Sequence, residues 1–174
     1  MGVFDVILKR RSIRRYRKGS LSREQILRLL EAARWAPSAK NLQPWHFIVV
    51  VEDELKEKLA YACKYQEFIK DAACIIVGLA DKVLSPKWCI VDTTIALEHI
   101  VLTAHEMGLG TCWIGAFDES KVKEILGIPE RYKVVALITV GFPDEAPPPR
   151  PRKSIEEISS LNYFGNPIRH LGGK

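Results

Sequence analysis

Six consecutive residues, Cys74-Ile75-Ile76-Val77-Gly78-Leu79, form an uninterrupted apolar run. A strand with one wet face alternates apolar and polar residues, so a strand that is apolar throughout is covered on both faces. A chain with such a strand must supply helices to both sides of its sheet. The flanking sequence does so. Val3, Phe4, Ile7 and Leu8 recur at helical spacing and predict a short amphipathic helix at the start. Ser22 to Gln25 reads as a capping box that opens a helix with Ile26, Leu29, Leu30 and Ala33 on one face, ended by Pro37. Trp45 to Val51 is β-prone, and Asp53 is placed as the cap of a helix carrying Leu55, Leu59 and Ala62.

The longest helix is expected from Asp92 to Met107. Ile95, Ala96, Leu97, Ile100, Val101, Leu102 and Ala104 make it apolar around most of its circumference, so it needs burial on more than one side. In a chain of 174 residues a subunit interface is a natural second partner, and a glutamate at Ala96 or Ile100 is expected to break it. Gly108 and Gly110 end this helix, and Thr111 to Gly115 reads as a short strand. Asp118 caps a helix with Val122, Ile125 and Leu126 that stops at Gly127 and Pro129. Val134 to Val140 is a further strand. Pro147, Pro148, Pro149 and Pro151 then make an extended arm, followed by a second capping box at Ser154 and Glu157. Residues 172–174 read as a frayed end. Strands alternate with helices, so the chain is read as one layered domain over residues 1–174, with 144–174 as a C-terminal arm.

Charge narrows the function. The net charge is +5, which invites nucleic acid as a partner. Yet residues 9–23 (KRRSIRRYRKGSLSR) hold eight basic side chains and no acid, so the remainder carries −3. The basic character is one patch. No apolar run approaches the ~20 residues of a membrane helix. In MGVFDVILKRR the charge follows the apolar stretch, the reverse of a signal peptide, so a cytoplasmic location is expected. Cys63, Cys74, Cys89 and Cys112 form no C-x-x-C, and the histidines show no metal-ligand spacing, so no metal site is expected.

Four segments carry chemistry. Lys9-Arg10-Arg11-Ser12-Ile13-Arg14-Arg15-Tyr16 suits a phosphate, since arginine gives bidentate charged hydrogen bonds and serine a hydroxyl; a solvated basic face and a nucleic-acid contact are the alternatives. Ala36 to Trp45 places Ser38, Asn41 and Gln43 between two prolines, where amides can read the polar edge of a planar ring or simply form a turn. Gly108 to Gly115 contains G-x-G, but Trp113 stands where a dinucleotide fingerprint needs its third glycine, and the order is helix then strand. Small residues there let a backbone N–H approach a flat ligand. Arg150 and Arg152, spaced i, i+2 on an extended segment, point to one side and can complete an anion site begun by the first segment.

In this order, "RRSIRRY", "APSAKNLQPWHFIVV", "DTTIALEHIVLTAHEMGLGTCWIG", "VKEILGIPE" and "RPRKSIEEI" resemble the FMN-dependent nitroreductase family over residues 3–160. The resemblance implies an α+β fold with a mixed, largely antiparallel sheet flanked by helices. It implies a homodimer whose C-terminal arms embrace the partner, with FMN in clefts at the interface. It places Arg10, Arg11 and Ser12 on the phosphate and ribityl chain, Arg14 near flavin N1/O2, and Arg150 and Arg152 on the phosphate. Pro37, Ser38, Ala39 and Asn41 would come from the other subunit, and Gln66 would touch the ring edge. Trp113, Ile114, Gly115 and Ala116 would pack on the ring. No side chain would be catalytic, because the flavin carries the chemistry. NADH or NADPH would donate electrons, and a nitroaromatic, quinone or similar acceptor would take them in ping-pong order. Non-catalytic flavin binding and the dehalogenating or flavin-modifying branches are the alternatives. No membrane or nucleic-acid partner is implied. The link Ala80–Trp88 is too short for the lid of larger relatives, so an open cleft is expected.

Overall fold

Strand Cys74–Asp81 has every residue buried, and its alternation sends neighbours into different cores. Ile75, Val77 and Leu79 join one apolar cluster with Leu59, Val122 and Leu137. Cys74 and Ile76 join another with Leu29, Ala96, Leu97, Ile100 and Ile138. The sheet therefore has two dry faces, as the apolar run requires.

The computed structural model describes residues 2–171. In chain order its elements are α1 (Val3–Lys9), β1 (Tyr16–Arg17), α2 (Arg23–Arg34), β2 (Trp45–Val50), α3 (Asp53–Ala62), β3 (Cys74–Asp81), α4 (Cys89–Glu106), β4 (Gly110–Ile114), α5 (Glu119–Leu126), β5 (Tyr132–Pro143) and α6 (Ile155–Ile158). All ladders are antiparallel: β2 with β3, β3 with β5, β4 with β5, and β1 with the end of β5. Among the described residues the one parallel contact is an isolated bridge between Ser12 and Thr111. β5 is the hub of the sheet. Helices α2 and α4 cover one face, while α3 and α5 cover the other. This is the expected α+β class. Gly78 is required where α4 crosses β3, because a Cβ there would stand 2.6 Å from Leu97 Cδ1.

Both capping boxes form, at Ser22/Gln25 and Ser154/Glu157. Asp118 accepts the Lys121 N–H, and Gly127 ends α5 in the left-handed conformation. Three expectations change. Glu52, not Asp53, is the N-cap of α3 and makes no side-chain cap bond, since Asp53 already lies inside the helix. α4 begins three residues earlier, at Cys89. Ala96 and Ile100 are fully buried within the protomer, so a glutamate at either would strike the core rather than an interface. The exposed apolar residues lie elsewhere: Val3, Phe4, Ile7 and Leu8 on α1, Trp88, Ile90 and Val91 at the start of α4, and Ile155, Ile158, Tyr163 and Phe164 near the C-terminus. The expected frayed end, 172–174, lies outside the described residues. Among the described residues no helix is long and apolar enough to cross a membrane.

Candidate cofactor site

The segment after α1 is pinned to the sheet before it can present its arginines. The Ile13 N–H donates to Thr111 O at 2.8 Å. The buried Tyr16 hydroxyl donates to Ile13 O at 2.8 Å and lies 2.7 Å from Thr139 Oγ1. Beyond β5 the arm is tied back to the same segment. Glu145 accepts the Arg14 backbone N–H, and the Arg15 guanidinium donates to Asp144 O at 2.7 and 3.2 Å. The result is a cavity of about 330 Å³ lined by Arg10, Arg11, Ser12, Arg14, Arg150 and Arg152. Two segments 140 residues apart thus converge, as their charge pattern anticipated.

The cradle is short of acids. Arg10, Arg14 and Arg150 form no ion pair among the described residues. Arg11 commits Nη1 to the carbonyls of Leu8 and Arg10, which closes the end of α1, and its Nε is buried without a partner. An adjoining cavity of about 420 Å³ is lined by Lys9, Arg10, Arg11 and His105. His105 Nε2 is also buried without a partner. Burial, followed by Arg10, Arg11 and Lys9, holds the His105 imidazole below its ordinary pKa. Crowded cations with unmatched donors are what a phosphate satisfies, since it brings negative charge and several acceptor oxygens.

The strand β4 leads to the ring-side residues. Trp113 is partly exposed, but Ile114 is 2 % exposed and its side chain packs in the core. Strand alternation thus turns the Ile114 side chain into the core and leaves its backbone on the loop side. A Cβ added at Gly115 would meet nothing within 4 Å, so open space lies over this backbone. Gln66 Nε2 donates to Cys63 O at 2.9 Å and to Ala116 O at 3.4 Å, which joins Gln66 to the same loop.

The loop holding Pro37, Ser38, Ala39 and Asn41 lines neither arginine cavity. It sits on α4, where the Ala39 N–H donates to buried Asp92 Oδ2 at 3.2 Å. The Gln43 N–H donates to Ser38 Oγ at 2.9 Å and closes the turn. Lys40, Asn41 and Gln43 all have positive φ, an unfavourable conformation for side-chain-bearing residues that is concentrated at functional loops. Within one protomer, then, the cradle and this loop are separate.

Asp92, Glu145, Asp144 and His105 had not been singled out. An acid in the first turn of an otherwise apolar helix was the visible trace of Asp92, and an acid just before the proline run that of Glu145. Burial pushes the Cys63 and Cys74 thiols up to about 12, so both stay protonated near neutrality. Among the described residues no cluster of His, Cys, Asp and Glu could hold a metal.

The Nitroreductase family profile matches residues 7–64 and 51–142. An NADH dehydrogenase of Thermus thermophilus is 31% identical over 187 residues, covering 87% of this chain and 91% of that one. An FMN-dependent nitroreductase structure from Clostridium difficile superposes with a TM-score of 0.83 at 33% identity, covering 92% of this chain and 99% of the other. An NADPH:FMN oxidoreductase from Vibrio harveyi, solved with NAD+, superposes with a TM-score of 0.87 at 27% identity, covering 93% of this chain and 77% of the other.

Proposed function

Since the chain belongs to the nitroreductase family, we propose that it is an NAD(P)H-dependent flavin oxidoreductase that holds FMN in the arginine cradle. The observation that carries this reading is the convergence of Arg10, Arg11, Ser12, Arg14, Arg150 and Arg152 on one cavity with no matching set of acids. The chemistry FMN supplies when bound is the transfer of electrons from a nicotinamide to an oxidised acceptor.

The protein's part is positional and electrostatic. Arg10, Arg150 and Arg152, with Ser12, would hold the phosphate and ribityl chain; Arg11 contributes charge and whatever donors its helix-end bonds leave. Arg14 would place positive charge beside the N1/O2 side of the ring, where reduction builds negative charge. Gly115 would keep the backbone open to a flat ligand, with Trp113 and Ala116 flanking it and Gln66 at the ring edge. Donor and acceptor would use this face in turn, which is ping-pong behaviour. Nitroaromatics and quinones, flat electron-poor molecules, suit that face.

We further propose a homodimer, with residues 144–174 acting as the arm of a single domain. Support comes from the exposed apolar residues grouped on α1, at the start of α4 and in the C-terminal segment, which a partner surface would cover. It also comes from the loop 37–41, which is shaped like a binding loop but lies away from its own protomer's cradle; the partner's copy would complete the site.

The test is anaerobic stopped-flow mixing of FMN-loaded protein with NADH or NADPH. Rapid loss of the yellow absorbance, and its return on adding a quinone or nitroaromatic, is expected. Failure to bleach with both nicotinamides would leave a flavin-binding protein without this activity.

A further inference from the structure

Beside the ring-side loop lies a second, smaller cleft of about 260 Å³ that the proposed flavin site does not use. Tyr61, Lys64 and Tyr65 form one wall, and Phe117, Asp118 and Lys121 the other; Asp118 is the one acid in the lining, and its Oδ1 accepts the Lys121 N–H as the cap of α5. Tyr61 and Tyr65 meet edge to face with centroids 4.6 Å apart, and both are more than half exposed. Lys121 Nζ lies 5.1 Å from the Tyr61 ring centroid and 3.9 Å from Asp118. Lys64 makes no ion pair or hydrogen bond through its side chain among the described residues.

The backbone here is also unusual. Lys64 and Tyr65 both sit at φ 58°, the left-handed region, which glycine adopts freely and which costs side-chain-bearing residues energy. Two glycines would make this turn without that cost. The turn instead keeps a lysine and a tyrosine, and both face the cleft. Backbone strain of this kind clusters at ligand clamps and active sites.

We propose that this cleft receives the 2′-phosphoadenosine end of NADPH, and that the enzyme consequently prefers NADPH to NADH. This rests on the function proposed above. The tyrosine rings offer stacking surface to a purine. The two ammonium groups, one of them without a partner, offer point charges to the 2′-phosphate dianion. Position favours the donor's remote end over a reacting ring. Gln66, next in sequence to Tyr65, is bonded to Ala116 O, and Phe117 follows Ala116 into the cleft wall. The cleft therefore adjoins the ring-side loop without lying on it. A cleft of this volume has no room for a whole dinucleotide, so it suits one end of it.

The experiment uses FMN-loaded protein and two fragments, 2′,5′-ADP and 5′-ADP, titrated by calorimetry. The wild type should bind 2′,5′-ADP at least ~10-fold more tightly, the effect of one charged hydrogen bond. Lys64→Ala and Lys121→Ala should each remove most of that difference. In stopped-flow reduction they should raise the apparent Kd for NADPH ~10-fold, leaving the limiting rate and all NADH parameters unchanged. Lys64→Gly should match or exceed the wild-type melting temperature, because glycine relieves the backbone, yet lose the phosphate discrimination. Equal binding of the two fragments to the wild type would overturn the proposal, as would lysine variants that weaken NADPH and NADH alike. If neither nicotinamide reduces the flavin, the proposed activity fails and the fragment titration still decides this site. If both reduce it with no dependence on the 2′-phosphate, the activity stands and this inference falls.

Discussion

The Tyr16 hydroxyl is the bolt that holds the arginine segment to the sheet, and Tyr16→Phe removes it with no change of shape. Tyr16 is 9 % exposed and Thr139 fully buried. Its hydroxyl bridges Ile13 O at 2.8 Å and Thr139 Oγ1 at 2.7 Å, and Thr139 otherwise has only a long bond to Cys112 O at 3.4 Å. Deleting it strands a buried carbonyl and half-strands a buried hydroxyl, at a cost of about 1–3 kcal/mol. For a chain of this length, that lowers the melting temperature by roughly 3–10 °C. The midpoint should be read by circular dichroism at one protein concentration, with and without excess FMN, because ligand and subunit binding both raise it. A pH series adds a second signature. Burial pushes the Tyr16 phenol well above its ordinary pKa, so the folded state favours the neutral form. The wild type should therefore lose stability as pH rises beyond the ordinary tyrosine value of ~10, and the phenylalanine variant should lose less over that range. A midpoint within 1 °C of wild type near neutral pH would refute the claim that this hydroxyl anchors the segment.

Three further outcomes are expected. His105 is held below its ordinary pKa by burial and by Arg10, Arg11 and Lys9, so the stability it protects is present above ~6.5 and lost as pH falls; adding phosphate or FMN should raise its pKa in an NMR titration, and no shift would separate it from the anion site. Gly115→Ala introduces a Cβ into open space, so stability should stay within ~0.5 kcal/mol while reduction by either nicotinamide slows; an unchanged rate would show that nothing docks over this backbone. Phe4→Glu, at a side chain 71 % exposed, should give folded monomer by light scattering with weakened flavin retention, and an intact dimer would remove α1 from the interface.

Much of the architecture was legible because its causes are local. The apolar run at 74–79 dictates two covered faces, and Ile75 and Ile76 do enter opposite cores. Capping boxes at Ser22 and Ser154 and the left-handed Gly127 are set by short-range hydrogen bonding. The i, i+2 arginines at 150 and 152 do reach the cavity of Arg10 and Arg14. What depended on long-range packing was not legible. Helical periodicity marks α4 as apolar all round but cannot say which stripe meets the protomer's own sheet, so Ala96 and Ile100 were misplaced. Composition cannot show that Arg11 turns back onto the end of α1, or that Ile114 faces inward because β4 pairs with β5 in a particular register. The ties from Glu145 to Arg14 and from Asp92 to Ala39 join residues far apart in sequence, and no local pattern encodes them.

If the arginine cradle holds a flavin, it does so by the phosphate. The most direct test is titration of apoprotein with FMN and with riboflavin, which lacks the phosphate, in the wild type and in the Arg10→Ala/Arg152→Ala variant. The wild type should bind FMN at least ~100-fold more tightly, as several charged hydrogen bonds require, and the folded double variant should lose most of this preference. Equal affinity of the wild type for the two flavins would contradict anchoring by the phosphate.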